Sequence, residues 1–124
     1  MILVDSSVWI AAWRGKDEKV VSQLTRMIES AEAVINPLIH IELLQGARDI
    51  RHQQHLRELL SPIPLKPLEE DVWNEAPKFF LRCREKGVTL TTIDGLIATH
   101  AMIGRFDLWS LDTVFSSIPG LRLV

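Results

Sequence analysis

The chain begins with a short apolar run that ends in a carboxylate. Residues 1–4 read MILV, and Asp5-Ser6-Ser7 follow at once. By periodicity alone such a run fits a strand or a helix, but residues that favour helix N-termini come directly after it. We therefore expect a strand over residues 1–4 and a helix that begins near Ser6. Asp5 then lies at the carboxyl end of that strand, where open α/β sheets bind their ligands.

The rest of the sequence alternates between helical and strand-like segments. Helices are predicted where apolar residues recur every three or four positions or where proline opens a segment, namely over residues 17–31, 37–48, 52–60, 68–86 and 93–103. Strands are predicted over residues 33–36, 107–112 and 121–124, with a short extended piece in the proline-rich segment 61–67. This order predicts an α/β fold: a single domain over residues 1–124, with a central, mostly parallel sheet flanked by helices in three layers.

Glycine and proline refine the predicted helix ends. Gly15 is expected to break the first helix, Gly87 to cap the long fifth segment and Gly104 to stop the last helix. Pro77 lies inside the long helix, where it removes one backbone hydrogen bond and predicts a distortion.

Composition narrows the class of protein. The chain has 124 residues, 47% of them hydrophobic, which is enough to bury a core without disulfides. Cys83 is the only cysteine, and we interpret it as a small buried apolar residue. Residues 1–10 lack the basic start and the longer apolar run of a signal peptide, and no segment approaches the roughly 18 apolar residues of a membrane helix. We expect a cytoplasmic protein that does not bind membranes.

Four carboxylates from four separate segments stand out. Asp5 and Asp112 each follow an apolar strand-like run, Asp94 opens an apolar helix, and Glu42 sits among aliphatic neighbours on a helix. Singly, the aspartates are explained as helix caps or as acids favoured by the helix dipole, whereas Glu42 is expected to be partly buried. Together they offer the oxygen ligands that a hard divalent cation prefers. Such a site, with water on the metal, suits phosphodiester hydrolysis.

Charge argues weakly against nucleic-acid binding. The net charge is −2, which is unlike a protein held to nucleic acid by a basic surface. Without the four acids, each counted as −1, the rest of the chain would carry +2. The best candidates for phosphate contacts are basic residues on predicted helices, although a solvated helix surface explains each of them singly; they are Arg48, Arg51, Arg57, Arg82, Arg84 and Lys86.

The sequence resembles the PIN-domain family, and within it the VapC-like toxins of type II toxin–antitoxin systems. The matching motifs are VDSSVWIAAWRG (4–15), PLIHIELLQGAR (37–48), TTIDGLIATHA (91–101) and LWSLDTVFSSIPGLRLV (108–124). Each motif is weak alone, but their order and the spacing of the four acids match over essentially the whole chain.

The resemblance implies a metal-dependent endoribonuclease of the VapBC type that uses Mg²⁺ or Mn²⁺. It implies that Asp5, Glu42, Asp94 and Asp112 form the catalytic acidic pocket. Asp5 and Asp94 match the most direct metal ligands, and Glu42 and Asp112 complete the site and position water or a second ion. It further implies an RNA substrate, a homodimer and a small VapB-like antitoxin whose C-terminal segment blocks the pocket until it is degraded.

One departure from the family pattern concerns the last motif, which often reads Asp-x-Asp-Phe. Here Val114 replaces the second acid. We therefore expect four acids in the site and weaker binding of a second metal. Thr113 is more simply explained as a helix-cap residue than as a metal contact.

Three other functions are alternatives to a toxin ribonuclease. A receiver-like signalling domain fits the length, but it needs a pair of acids after the first strand and a lysine after the last functional strand, and this chain has Asp5-Ser6 and no such lysine. A PIN fold that serves only as a partner-binding scaffold is left open by Val114. A PIN nuclease of RNA maturation is the third, and the small size of the chain favours the toxin.

Overall fold

A computed structural model describes all 124 residues. Three parallel strands form one sheet in the order β2-β1-β3, with β1 at Ile2–Val4, β2 at Ala33–Val34 and β3 at Asp107–Trp109. Six helices flank this sheet, namely α1 (Ser6–Arg14), α2 (Glu18–Glu29), α3 (Pro37–Gln45), α4 (Ile50–Leu60), α5 (Glu70–Glu85) and α6 (Thr92–Gly104). A short 3-10 helix, Thr113–Ser117, follows β3. The predicted α/β fold with a parallel sheet is confirmed.

The strands are shorter than the sequence predicted. The segment 33–36 contributes only two residues to β2, because Ile35 pairs with Leu65 in an isolated parallel bridge and Asn36 turns to cap α3. This bridge confirms the predicted extended piece within 61–67. The prediction of a fourth strand over 121–124 was wrong: only Leu123 pairs, in a single parallel bridge to Leu108, and the hydrogen bonds of this segment to the sheet all go to Leu108. No helix is both long and apolar enough to cross a membrane.

Two of the three glycines that were predicted to end a helix do so. Gly15 adopts a left-handed conformation at the end of α1. Gly87, with φ of +80°, follows α5 in a Schellman motif, in which Gly87 N donates to Arg84 O and Val88 N to Cys83 O. The third was wrong: Gly104 is still helical, and Arg105 takes the left-handed position. Gly104 is needed instead for the close approach of the Phe106 ring, which a Cβ would strike.

A single hydrophobic core joins the sheet to the helices that flank it. Leu3, Val4 and Leu108 of the sheet are fully buried and pack in one cluster with Val8 of α1 and Ile97 of α6. Cys83 is part of this cluster, which agrees with its interpretation as an apolar residue. Helix α5 runs without a break through Pro77. The core thus fixes the ends of the strands relative to α3 and α6.

A buried polar pair lies between α3 and α6. Asn36 is 0% exposed; its Oδ1 accepts a hydrogen bond from Ile39 N, and its Nδ2 lies 3.0 Å from Nδ1 of His100. Burial lowers the pKa of His100, although the Pro67 carbonyl, Asp71 and Glu69 act in the opposite direction. A neutral ring accepts the Asn36 N–H, so this pair joins the N-terminus of α3 to α6 without a buried charge.

We predict that Asn36→Ala destabilises the protein by about 2–4 kcal/mol, since it removes a helix cap and leaves the His100 nitrogen without a buried donor. Asp17 is the matched control, because it caps α2 through Lys19 N and Val20 N in an exposed position. Asp17→Ala should cost only about 1 kcal/mol. Urea unfolding measures both, and equal losses would contradict a linking role for Asn36.

Candidate active site

Asp5 lies at the centre of the carboxyl edge of the sheet. It directly follows β1, the middle strand, and its backbone N–H donates to Trp109 O at 2.9 Å. The residue is 5% exposed, although a carboxylate is costly to bury without a partner. Its side chain does not cap α1. The helix-cap interpretation therefore does not explain Asp5.

Two serine hydroxyls hold the Asp5 carboxylate, and we call Ser7 and Ser110 the serine clamp. Ser110 Oγ donates to Asp5 Oδ2 at 2.6 Å, and Ser7 Oγ lies 2.9 Å from the same oxygen. The same hydroxyls accept backbone hydrogen bonds from the loop after β3: Asp112 N donates to Ser110 Oγ, and Leu111 N donates to Ser7 Oγ, both at 3.0 Å. The clamp thus orients Asp5 and ties the Asp112 loop to α1. No sequence pattern predicts that either serine contacts Asp5.

We predict that Ser110→Ala destabilises the protein by about 1–3 kcal/mol, because Asp5 loses its shortest hydrogen bond in a buried position. Ser110→Thr keeps the hydroxyl and should recover most of the loss. Ser116 is exposed and donates only to Thr113 O, so Ser116→Ala is the control and should change stability little. If thermal unfolding shows the same small loss of stability for Ser110→Ala as for Ser116→Ala, the clamp does not stabilise Asp5.

Glu42 faces Asp5 from α3. Ser6 Oγ, at the start of α1, donates to Glu42 Oε1 at 3.3 Å. Burial raises the pKa of Glu42, and the charges of Asp5 and Asp94 raise it further, while the hydrogen bond from Ser6 acts in the opposite direction. The predicted partial burial of Glu42 is confirmed, and this residue senses the charges of two other acids from the predicted set.

Asp94 lies in the first turn of α6, and Asp112 precedes the 3-10 helix. The Thr91 hydroxyl caps α6 by accepting from Asp94 N at 3.1 Å. Burial raises the pKa of Asp94; the Thr91 hydroxyl opposes this shift, while Asp112 and Asp5 add to it. Asp112 is exposed and accepts from Val114 N through Oδ1, so its cap role is also real. Asp94 is therefore the acid whose pKa responds to both Asp5 and Asp112, as the pKa of Glu42 responds to Asp5 and Asp94.

No basic side chain compensates this cluster, which we call the acidic cluster (Asp5, Glu42, Asp94 and Asp112). The ion pairs of the chain are Lys78–Glu75 and Arg122–Asp107, and neither involves the cluster. The donor set consists only of carboxylate and hydroxyl oxygens, which suits Mg²⁺ or Mn²⁺ rather than a softer metal. At the same time, no three His, Cys, Asp or Glu side chains converge tightly enough to define a metal centre. The chemistry of the donor atoms therefore fits the ion, while the four carboxylate side chains lie too far apart to form a metal centre as they stand.

We predict that Asp94→Asn raises the melting temperature by a few degrees in EDTA at neutral pH. The folded protein raises the pKa of Asp94, so it disfavours the charged form, and above the unfolded pKa of about 3.9 this charge costs stability. Added Mg²⁺ should stabilise the parent more than the variant. Glu85 is exposed and outside any ion pair; Glu85→Gln is the control, and the same rise there would contradict repulsion within the acidic cluster.

Fold and site together define an α/β protein with an acidic cluster at the carboxyl edge of a parallel sheet. The sequence matches the PIN domain family over residues 2–121, and the chain belongs to this family, whose members are in general nucleases. No functionally curated protein matches the sequence significantly.

Solved structures with the same fold come from toxin–antitoxin systems. VapBC2 from Rickettsia felis, bound to a promoter DNA fragment, matches with a TM-score of 0.86 and 20% identity over 100% of this chain and 98% of that chain. DNA-bound VapBC from Salmonella typhimurium matches with a TM-score of 0.85 and 18% identity, over 99% of this chain and 96% of that chain. VapC20 of Mycobacterium tuberculosis, described as a sarcin–ricin loop cleaving toxin, matches with a TM-score of 0.69 and 17% identity, over 99% of this chain and 98% of that chain. At these identities the likeness concerns the fold.

Proposed function

We propose that this protein is a divalent-metal-dependent endoribonuclease that hydrolyses RNA phosphodiester bonds. The observation that carries the proposal is the acidic cluster: Asp5 is buried at the centre of the sheet edge, and burial and neighbouring acids raise the pKa of Glu42 and of Asp94 without any compensating base. A cluster of this kind is stabilised by a bound cation. PIN nucleases generally use divalent metals, which supports the same assignment.

In this proposal Asp5 and Asp94 hold Mg²⁺ or Mn²⁺ directly, and Glu42 and Asp112 complete the site. The ion, when bound, lowers the pKa of its water and neutralises charge on the phosphate. The serine clamp keeps both hydrogen bonds of Asp5 on Oδ2, which would leave Oδ1 available to a bound cation. Glu42 would accept a proton from the attacking water.

We further propose that the protein acts as the toxin of a VapBC-type pair in the cytoplasm, as a homodimer blocked by a VapB-like antitoxin. The full-length likeness to chains from VapBC complexes supports this assignment. Induced expression of the chain alone should stop bacterial growth, and Asp5→Asn should relieve the arrest. Growth arrest by both forms would contradict toxicity through the acidic cluster.

The nuclease itself is tested by incubating purified protein with a pool of structured RNA in Mg²⁺, Mn²⁺ or EDTA. We predict discrete cuts that require the metal and fall by at least about a hundredfold in Asp5→Asn and Asp94→Asn, the range seen when electrostatic groups of an active site are lost. Sequencing of the new RNA ends measures the cuts.

The control for this assay is Asp107→Asn. Asp107 begins β3 at the opposite edge of the sheet and pairs with Arg122 at 3.0 Å, so its loss should leave cleavage within about twofold. Equal activity in the parent, Asp5→Asn and Asp94→Asn would overturn the assignment of the acidic cluster, and cleavage that persists in EDTA would overturn the metal requirement.

A further inference from the structure

A concave site lies between the end of α5 and the start of α6. Its volume is about 260 Å³, and it is lined by Phe80, Arg84, Val88, Thr89, Leu90 and Thr92. We call it the Arg84 cavity. The ring of Phe80 packs so closely on Gly95 in the first turn of α6 that a Cβ there would strike it. The floor of the cavity is therefore fixed to the helix that carries Asp94.

The polar groups of this cavity are free to bind a ligand. Arg84 is exposed and takes part in neither ion pair of the chain. Thr91 uses its hydroxyl to cap α6, whereas the hydroxyls of Thr89 and Thr92 make no hydrogen bond within the chain. No carboxylate lines the cavity, so its charge is positive beside an acidic cluster. The N-terminus of α6, where Thr92 is the first helical residue, adds a partial positive charge.

The position of the cavity relates it to the cutting site. Thr92 and Asp94 belong to the same helical turn, with their Cα atoms about 5 Å apart in α-helix geometry. They project toward different sides of α6, since two residues rotate the helix by about 200°. A ligand in the Arg84 cavity thus lies across the first turn of α6 from Asp94, outside the acidic cluster. A nucleic-acid strand that reaches both sites has to cross the N-terminus of α6.

We propose that the Arg84 cavity binds a nucleotide of single-stranded RNA adjacent to the bond that is cut. Arg84 pairs with the backbone phosphate, the hydroxyls of Thr89 and Thr92 contact the phosphate or ribose, and Phe80, Val88 and Leu90 form an apolar surface for the base. The inference rests on the proposed ribonuclease function. It explains how a chain with a net charge of −2 retains an RNA strand beside four carboxylates: one free guanidinium is placed where the strand leaves the cluster.

The test uses Arg84→Ala and Arg82→Ala in a chain that also carries Asp5→Asn, so that bound RNA is not cut. Arg82 is the matched control: it is an exposed arginine on the same turn of α5, but it lines the cavities on the other face of that helix, with Phe79 and Met102. Fluorescence anisotropy with labelled single-stranded RNA of random sequence gives the Kd between about 50 and 200 mM salt.

We expect Arg84→Ala to weaken RNA binding roughly tenfold at the lowest salt, as for loss of a charged hydrogen bond. The slope of log Kd against log salt should fall by about 0.7, the value for one phosphate contact on a single strand. Arg82→Ala should change neither quantity appreciably, and Arg84→Lys should restore the slope because it keeps the charge. With Asp5 intact, Arg84→Ala should raise KM and leave kcat unchanged.

Equal effects of Arg84→Ala and Arg82→Ala would overturn the subsite, since they would reflect only the overall charge. If the parent cuts RNA and Arg84→Ala binds it normally, the subsite is wrong and the proposed function stands. A parent that neither binds nor cuts RNA overturns both. If Arg84→Ala binds RNA normally but loses a protein partner, the cavity belongs to that partner and the inference fails.

Discussion

The arrangement of this protein depends on one buried carboxylate. Asp5 ends the central strand, is 5% exposed and is held by two hydroxyls rather than by a base. Hydroxyl donors orient a carboxylate but do not neutralise it, so its negative charge remains available to a cation. The loop after β3 is organised around the same hydroxyls, and α1 begins at the residue after Asp5. The position of the loop after β3 and the charge at the site therefore follow from how Asp5 is held.

The rest of the fold fixes the other acids around this point at a cost in stability. Asn36 and Thr91 cap the helices that carry Glu42 and Asp94, and the Asn36–His100 pair joins those two helices inside the core. These neutral contacts hold acids close together while burial and mutual repulsion raise the pKa values of Glu42 and Asp94. Unfavourable charge of this kind, maintained by a well-packed scaffold, is typical of functional sites.

The sequence allowed the parallel sheet and the place of Asp5 at the end of a strand to be predicted because both depend on local signals. Asp5 directly follows one apolar run, and Asp112 follows another within three residues. These two acids therefore lie near strand ends. The serine clamp could not be predicted in the same way, since Ser7 and Ser110 meet across more than a hundred residues. Ser7 had a local explanation as a residue that favours a helix N-terminus and Ser110 had none, and only the pairing of β1 with β3 brings both to Asp5.

Errors in the predicted elements have similar physical causes. The run LRLV at 121–124 has the composition of a strand, but a strand needs a partner ladder, and Leu108 supplies only one bridge. Asn36 ended a predicted strand and instead begins α3, because its side chain satisfies Ile39 N. Gly104 suggested a helix stop, whereas the packing of Phe106 determines why glycine is there. The first outcome depends on long-range strand pairing, whereas the other two depend on side-chain contacts within three residues that the pattern of residue types does not reveal.

The central claim is that the acidic cluster holds a divalent cation. Anomalous diffraction from crystals of the protein soaked in Mn²⁺ tests it most directly. We expect a strong peak about 2.0–2.3 Å from carboxylate oxygens of Asp5 and Asp94, with Glu42 or Asp112 turned toward it, and no peak there in Asp5→Asn crystals. A peak only at another surface, or none at saturating Mn²⁺, would contradict the account.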